Sequence, residues 1–186
     1  MNRPEPAERL VFSSVVEGLL KHGLGSEVSP ALRQRLKAEG IDLDRPLLPA
    51  YPVKAWERCL RHIVDSAYPH LASEQGFRRL GKQMADGYAQ TLIGRALYAV
   101  MRLIGPNRTL KRMAQNLGSS DNYTNVTLVE LEPTVFDMRL NSRMEVRGYA
   151  EGLFAAMLEI AGARQVSVEE SARTAEETAY RIRWTP

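Results

Sequence analysis

The chain has 186 residues and a mass of 20.9 kDa; 44% of it is hydrophobic, 25% is charged, and the mean hydropathy is −0.30. These values exclude disordered, collagen-like and membrane-embedded chains, and the single cysteine, Cys59, excludes an internal disulfide framework and a cysteine-rich zinc site. The 25 basic and 22 acidic side chains leave a formal charge of only +3.

From Met1 to Gly23 there is a polar head and no uninterrupted apolar core of signal-peptide type. No window approaches the roughly 18 uncharged apolar residues that span a bilayer. Even the least polar stretch, Ala85 to Ile104, is interrupted by Asp86, Gln90, Arg95 and Arg102. The expected location is the cytoplasm, where N-x-T sequences at Asn107, Asn122 and Asn125 carry no glycan.

The first two thirds read as helices. Ser29-Pro30 opens one that ends at Gly40, and the three prolines between Ile41 and Pro52 mark an irregular connector. Trp56, Leu60, Ile63 and Val64 recur at helical spacing until Tyr68-Pro69. Ser73 is the expected cap of the next helix, through Phe77, Leu80, Met84 and Tyr88. Leu92, Ile93, Ala96, Leu97, Val100, Met101 and Ile104 continue the pattern to Gly105-Pro106, and a short helix follows from Arg108 to Leu117.

After Leu117 the period changes to two. Tyr123 to Leu131 reads as a strand, Glu132-Pro133 as its turn, and Phe136, Met138 and Leu140 as the inward face of a second strand. Gly148 to Ile160 is helical. Val166 and Val168 mark a third strand, and Tyr180, Ile182 and Trp184 a fourth, with Arg181 and Arg183 on its other face. The predicted class is α+β: one domain over 1–186, a helical block (1–118) followed by a β-β-α-β-β antiparallel sheet unit (119–186).

The segment Gly76 to Gln83 comes close to a phosphate-binding loop, but no strand precedes it and Gln83 stands where a magnesium-holding hydroxyl is required. The glycines Gly76, Gly81, Gly87 and Gly94 suggest close packing or, alternatively, room for a ligand against the backbone. Around the last two, Tyr88, Thr91 and Arg95 are candidate ligand contacts. Arg95 and Arg102, seven apart on one helix face, could hold a carboxylate or phosphate, or merely be solvated. Asn122, Tyr123 and Thr124 would suit the polar wall of an internal site; equally, Asp121 and Asn122 could satisfy backbone groups at the junction. Cys59 and His62 lie three apart on one helix, without a recognisable orienting group or oxyanion site. Adjacent Glu169 and Glu170 point to opposite faces of a strand and cannot form an acid–base pair.

The stretches LDRPLLPAYPVKAW, RRLGKQMADGYAQTLIGRAL, GPNRTLKRMAQN, DNYTNV and YRIRW cover nearly the whole chain. Through them it resembles a large uncharacterised paralogous family found mainly in myxobacteria, a resemblance that implies no activity. More distantly, GYAEGLFAAMLEIAGARQVSVEES and TAYRIRW after a helical block are similar to the superfamily of haem nitric-oxide-binding domains, four-vinyl-reductase-type domains and TRAPP trafficking subunits. Ala172 and Ala179 stand in the region where the four-vinyl-reductase type usually carries cysteines. The haem members need a proximal histidine on a helix near mid-chain, and between Leu71 and Pro186 there is none. In TRAPP subunits a helical cysteine can carry an acyl chain, which marks Cys59 as a candidate acylation site.

The expected function is a non-catalytic small-molecule-binding or sensory module. Its pocket, for a small apolar or anionic ligand, would lie between the helical block and the sheet, and it would signal to a partner protein. The alternative is a ligand-free homodimeric protein-interaction adaptor. No cofactor or metal site is expected, no recognition motif supports nucleic-acid binding, and no complete catalytic constellation supports an enzyme. The near-neutral charge conceals a split. Residues 1–118 carry 18 basic and 11 acidic side chains, residues 119–186 carry 7 and 11, and none from Gly87 to Ser120 is acidic. The two halves attract each other, or the helical half faces an anionic ligand or acidic partner.

Overall fold

The computed structural model describes residues 8–141 and 145–185; the expected polar head and the last residue lie outside them, as does the side chain of Ile93. A short strand β1 (Leu10–Phe12) pairs antiparallel with β2 (Ala50–Pro52), placing Val11 opposite Tyr51. The end of the expected connector is therefore ordered. A residue preceding proline is pushed toward extended backbone, which holds Tyr51 in strand geometry ahead of Pro52.

Helix α1 (Ser13–Glu17) continues into a π-helical turn, Gly18–Leu24. Helix α2 (Pro30–Ala38) starts where expected, the Ser29 hydroxyl accepting from the Leu32 N–H at 3.2 Å. Helix α3 (Val53–Ala67) buries Trp56, Cys59, Leu60, Ile63 and Val64. Helix α4 (Ser73–Tyr88) begins at Ser73, but without the expected side-chain cap. Nor does α4 continue into the next helix. The Thr91 hydroxyl takes the Gly94 N–H at 2.8 Å and starts α5 (Leu92–Asn116) anew. Within α5, Gly105 sits at a φ of 78°, a left-handed conformation that glycine alone adopts at little cost, and Pro106 opens the second limb.

The sheet has the order β3-β4-β6-β5 and is antiparallel throughout: β3 (Val126–Glu132), β4 (Val135–Leu140), β5 (Arg164–Arg173) and β6 (Thr178–Thr185). Phe136 lies opposite Ile182 and Met138 opposite Tyr180, so the inward sets of β4 and β6 share one face. Phe136 stacks on Trp184 with ring centroids 5.5 Å apart. On the outer face Asp137 pairs with Arg181 and Glu169 with Arg183. The α+β class and the element order after residue 119 are as the sequence predicts.

Helix α6 (Tyr149–Ile160) covers the inner face, Phe154 meeting Tyr180 edge-on at 5.9 Å. Its other side presses on α4, backbone against backbone. A Cβ at Gly81 would stand 2.1 Å from the Tyr149 carbonyl oxygen, and one at Gly152 would stand 1.9 Å from that of Arg78. Close packing therefore accounts for Gly81. The phosphate-loop-like segment is simply the middle of α4. Across the two halves Arg61 pairs with Glu145, Lys82 with Glu159 and Lys111 with Glu130, which realises part of the expected attraction.

Candidate functional site

A cavity of about 210 Å³ lies where the helical block meets α6 and the sheet. Val11, Val15, Val53, Trp56 and Met84 reach it from the helical block; Tyr149, Leu153 and Phe154 from α6; Leu140 and Tyr180 from the sheet. Among the described residues its wall is almost wholly apolar and includes no lysine, arginine, histidine or cysteine.

Asp121, Tyr123 and Thr124 form its polar corner. The Asp121 carboxylate accepts from the Tyr123 N–H (3.0 Å), the Thr124 N–H (2.6 Å) and the Thr124 hydroxyl (2.7 Å). Asn122 faces elsewhere: its Oδ1 accepts from the Leu10 N–H at 2.8 Å and its Nδ2 donates to the Glu8 carbonyl at 3.0 Å. Asp121 and Asn122 satisfy backbone groups, Asn122 those beside β1, and Asp121, Tyr123 and Thr124 line the cavity.

Tyr149 is only 5% exposed, and its hydroxyl is buried without a hydrogen-bond partner. Burial pushes the phenol above its ordinary range, so it is a neutral donor at physiological pH. Tyr180 moves in the same direction, again through burial first.

The other expected contacts lie outside this wall. Tyr88 packs against Tyr98 with centroids 6.2 Å apart, and Thr91 caps α5 while its hydroxyl donates to the Tyr88 carbonyl at 2.9 Å. Arg95 and Arg102 are exposed on α5. The anionic ligand expected from these arginines therefore has no counter-charge among the described residues of the cavity wall. Cys59 is 0% exposed, and burial first, then Glu39, pushes its thiol up to about 12. That is the opposite of an activated nucleophile and the placement of a core residue, not of an acyl acceptor. His62 faces Glu39 at 3.2 Å rather than completing a Cys–His pair. Among the described residues no group of three or more His, Cys, Asp or Glu side chains could hold a metal ion.

Trp56, Met84, Tyr149, Leu153, Phe154 and Tyr180 escaped the sequence-based site. Each carried a signal only as an apolar residue on a helix or strand face, and their convergence from separate segments has no linear signature.

Beside the cavity, a groove of about 440 Å³ runs along α5, lined by Leu97, Val100, Met101 and Ile104 on one side and Met157 on the other. Leu117, Ser120, Leu153 and Phe154 face both spaces and form a common wall. Leu92 (77% exposed) and Leu103 (85%) crown the outer face of α5.

A sequence profile described as a protein family of unknown function (DUF2378) matches residues 9–185. The chain belongs to this family. No curated protein matches it. Among solved structures it is similar to a Cs H-NOX mutant carrying 4-cyano-L-phenylalanine, at 16% identity and a TM-score of 0.68 over 94% of this chain and 97% of that one. It is also similar to the Fe(II) unliganded H-NOX protein from K. algicida, at 10% identity and a TM-score of 0.65 over 94% and 97%. An oxygen-binding H-NOX domain related to soluble guanylate cyclases, in its oxygen complex, aligns at 16% identity with a TM-score of 0.60 over 93% and 94%. The DUF2378 chain thus has the H-NOX-like fold.

The Fe(II) named for the K. algicida protein, and the heme named for another aligned structure, make haem the group to test. Here the residues do not fit it. His22 and His70 are exposed, His62 is engaged with Glu39, and none of the three lines the cavity. Among the described residues the wall offers no cation for a porphyrin's carboxylates. Its 210 Å³ falls below the ~300–1,000 Å³ that encloses drug-sized ligands, and a porphyrin is larger than most of those.

Proposed function

We propose that this DUF2378 protein is a non-catalytic, single-domain sensory module of the cytoplasm. Its cavity takes a small neutral apolar molecule, and occupancy is read by a partner protein at α5. The observation that carries this reading is the common wall: a ligand that displaces Leu153 or Phe154 on one side moves the floor of the α5 groove on the other. The H-NOX-like fold supports it by analogy, since one such domain is described as oxygen-binding. The absence of any described helix long and apolar enough to cross a membrane is consistent with the location.

The exposed leucines of α5 suit a partner with an apolar contact, and the acid-free stretch around them suits one with an acidic rim. Arg95, Arg102, Arg108 and Arg112 are exposed there and form no ion pair among the described residues. The same crest supports the second reading, a homodimeric adaptor without a ligand. Two copies meeting at α5 would, however, bring like-charged arginine rows together.

Mass spectrometry of solvent extracts, paired with thermal melts of as-purified and stripped protein, tests the sensor. A bound molecule at 100 times its Kd raises stability by about 2.7 kcal/mol. Identical melts and an empty extract, with a dimer by light scattering, favour the adaptor.

A further inference from the structure

We infer that the cavity recognises an aromatic hydrocarbon, one ring with a short alkyl substituent, through the aromatic side chains that converge on its wall. The inference rests on the sensory reading above and names the class of ligand.

Aromatic residues make up only 7% of the chain, yet Trp56, Tyr123, Tyr149, Phe154 and Tyr180 all line this one cavity. They arrive from α3, the junction before β3, α6 and β6, so no single amphipathic face accounts for the gathering. Two of the rings are already orthogonal: Phe154 and Tyr180 meet at 88° with centroids 5.9 Å apart. A flat ring beside such a pair meets the face of one and the edge of the other, an arrangement that aromatic rings prefer. Met84 adds a polarizable thioether, which makes favourable contacts with ring edges. A saturated ring of similar size fills the same space but has no quadrupole for these groups to meet.

The polar groups narrow the class further. The Thr124 hydroxyl donates to Asp121, the Ser120 hydroxyl donates to the Leu117 carbonyl at 2.6 Å, and the Asp121 carboxylate takes close donors from Tyr123 and Thr124. The Tyr149 hydroxyl is enclosed and does not open onto the space, so this residue presents its ring. A ligand hydroxyl or amide would lose its water at this corner without gaining a partner. A carboxylate would need a cation, and among the described residues the wall has none. Volume sets the size: a dry apolar cavity of ~150 Å³ holds benzene, so 210 Å³ leaves room for a ring and a short substituent.

The probes are isopropylbenzene and its saturated counterpart isopropylcyclohexane, equilibrated with the full chain and read by headspace gas chromatography. Affinities are referred to transfer from liquid alkane, which removes the difference in hydrophobicity between the two. The expected result is a preference of about tenfold for isopropylbenzene, falling by about threefold or more in Phe154→Leu, which keeps an apolar side chain but removes the ring. Equal affinities for both probes would overturn the inference and leave the sensory reading standing. A preference unchanged in Phe154→Leu would reflect ring thickness alone and would overturn it too. Binding of neither probe to the unaltered chain would overturn both readings. Proton NMR of isopropylbenzene bound to the unaltered chain needs no variant. Ring protons shifted upfield by the rings of the wall support the assignment, and unshifted protons overturn it.

Discussion

Helices α5 and α6 start from similar material, LIGRALYAVMRLI and GYAEGLFAAMLEI, and end in opposite surroundings. α6 buries Tyr149, Ala150, Glu151, Gly152, Phe154, Ala156 and Leu158, which takes in nearly its whole circumference. The first limb of α5 turns Tyr98 and Met101 inward and leaves Leu92, Leu97, Val100 and Leu103 exposed. Apolar content does not separate them. Small residues on facing positions do: Gly152 and Gly81 let α6 lie directly on α4, while the sheet takes its other side. An apolar helix with neighbours on two sides is core; one with a neighbour on a single side is a surface.

Cutting into α6 should have the largest effect. Phe154→Ala removes a buried ring shared by the cavity and the groove, and is expected to cost about 4 kcal/mol in urea unfolding. It should also join the two spaces, so that isopropylbenzene binds more weakly than to the unaltered chain. Gly152→Val should follow at about 3 kcal/mol, because its side chain meets backbone that cannot rotate away; a melt lowered by about 10 °C is the readout.

The entry to α6 gives a smaller, pH-dependent effect. Glu57 is buried, its carboxylate accepts from the Glu145 N–H at 2.9 Å, and burial raises its pKa above 4.5. A carboxyl whose pKa is higher folded than unfolded holds more protons in the native state. Stability therefore falls as pH rises from about 4.5 through the folded value and is flat above it. Glu57→Gln keeps an acceptor and removes the charge. Its urea midpoint should exceed that of the unaltered chain at pH 7, and the two should converge toward pH 4.5.

The smallest stability effect belongs to α5. Leu103→Asp should change unfolding free energy by less than about 0.5 kcal/mol. It should nevertheless abolish capture of an acidic partner, or dissociate a dimer by light scattering. A large loss of stability would mean that α5 is core like α6, and the contrast would collapse.

Legibility in the sequence followed the range of the interaction. Ser29-Pro30, the strand alternation of Phe136, Met138 and Leu140, and the arginine face of β6 are set by neighbours a few residues away, and all were readable. The break at Ala89–Thr91 was missed because an apolar period runs across it, although Thr91 carried a capping signal. Strand β2 was missed because a three-residue strand has no measurable period. Tyr123 and Thr124 drew notice through their polar junction and line the cavity, whereas Tyr88 at the end of α4, Thr91 at the cap of α5, and Arg95 and Arg102 on α5 lie outside its wall.

By itself the sequence determined the α+β class, the order of elements after residue 119 and the split of charge between the halves. Those follow from composition and short-range periodicity. Only the tertiary structure decided which apolar helix is buried, which residues enclose the cavity, and that Tyr149 stands on its wall with an unpaired hydroxyl. Such facts depend on β1, α3, α4, α6 and β6 meeting in space, and no local spacing records where separated segments converge.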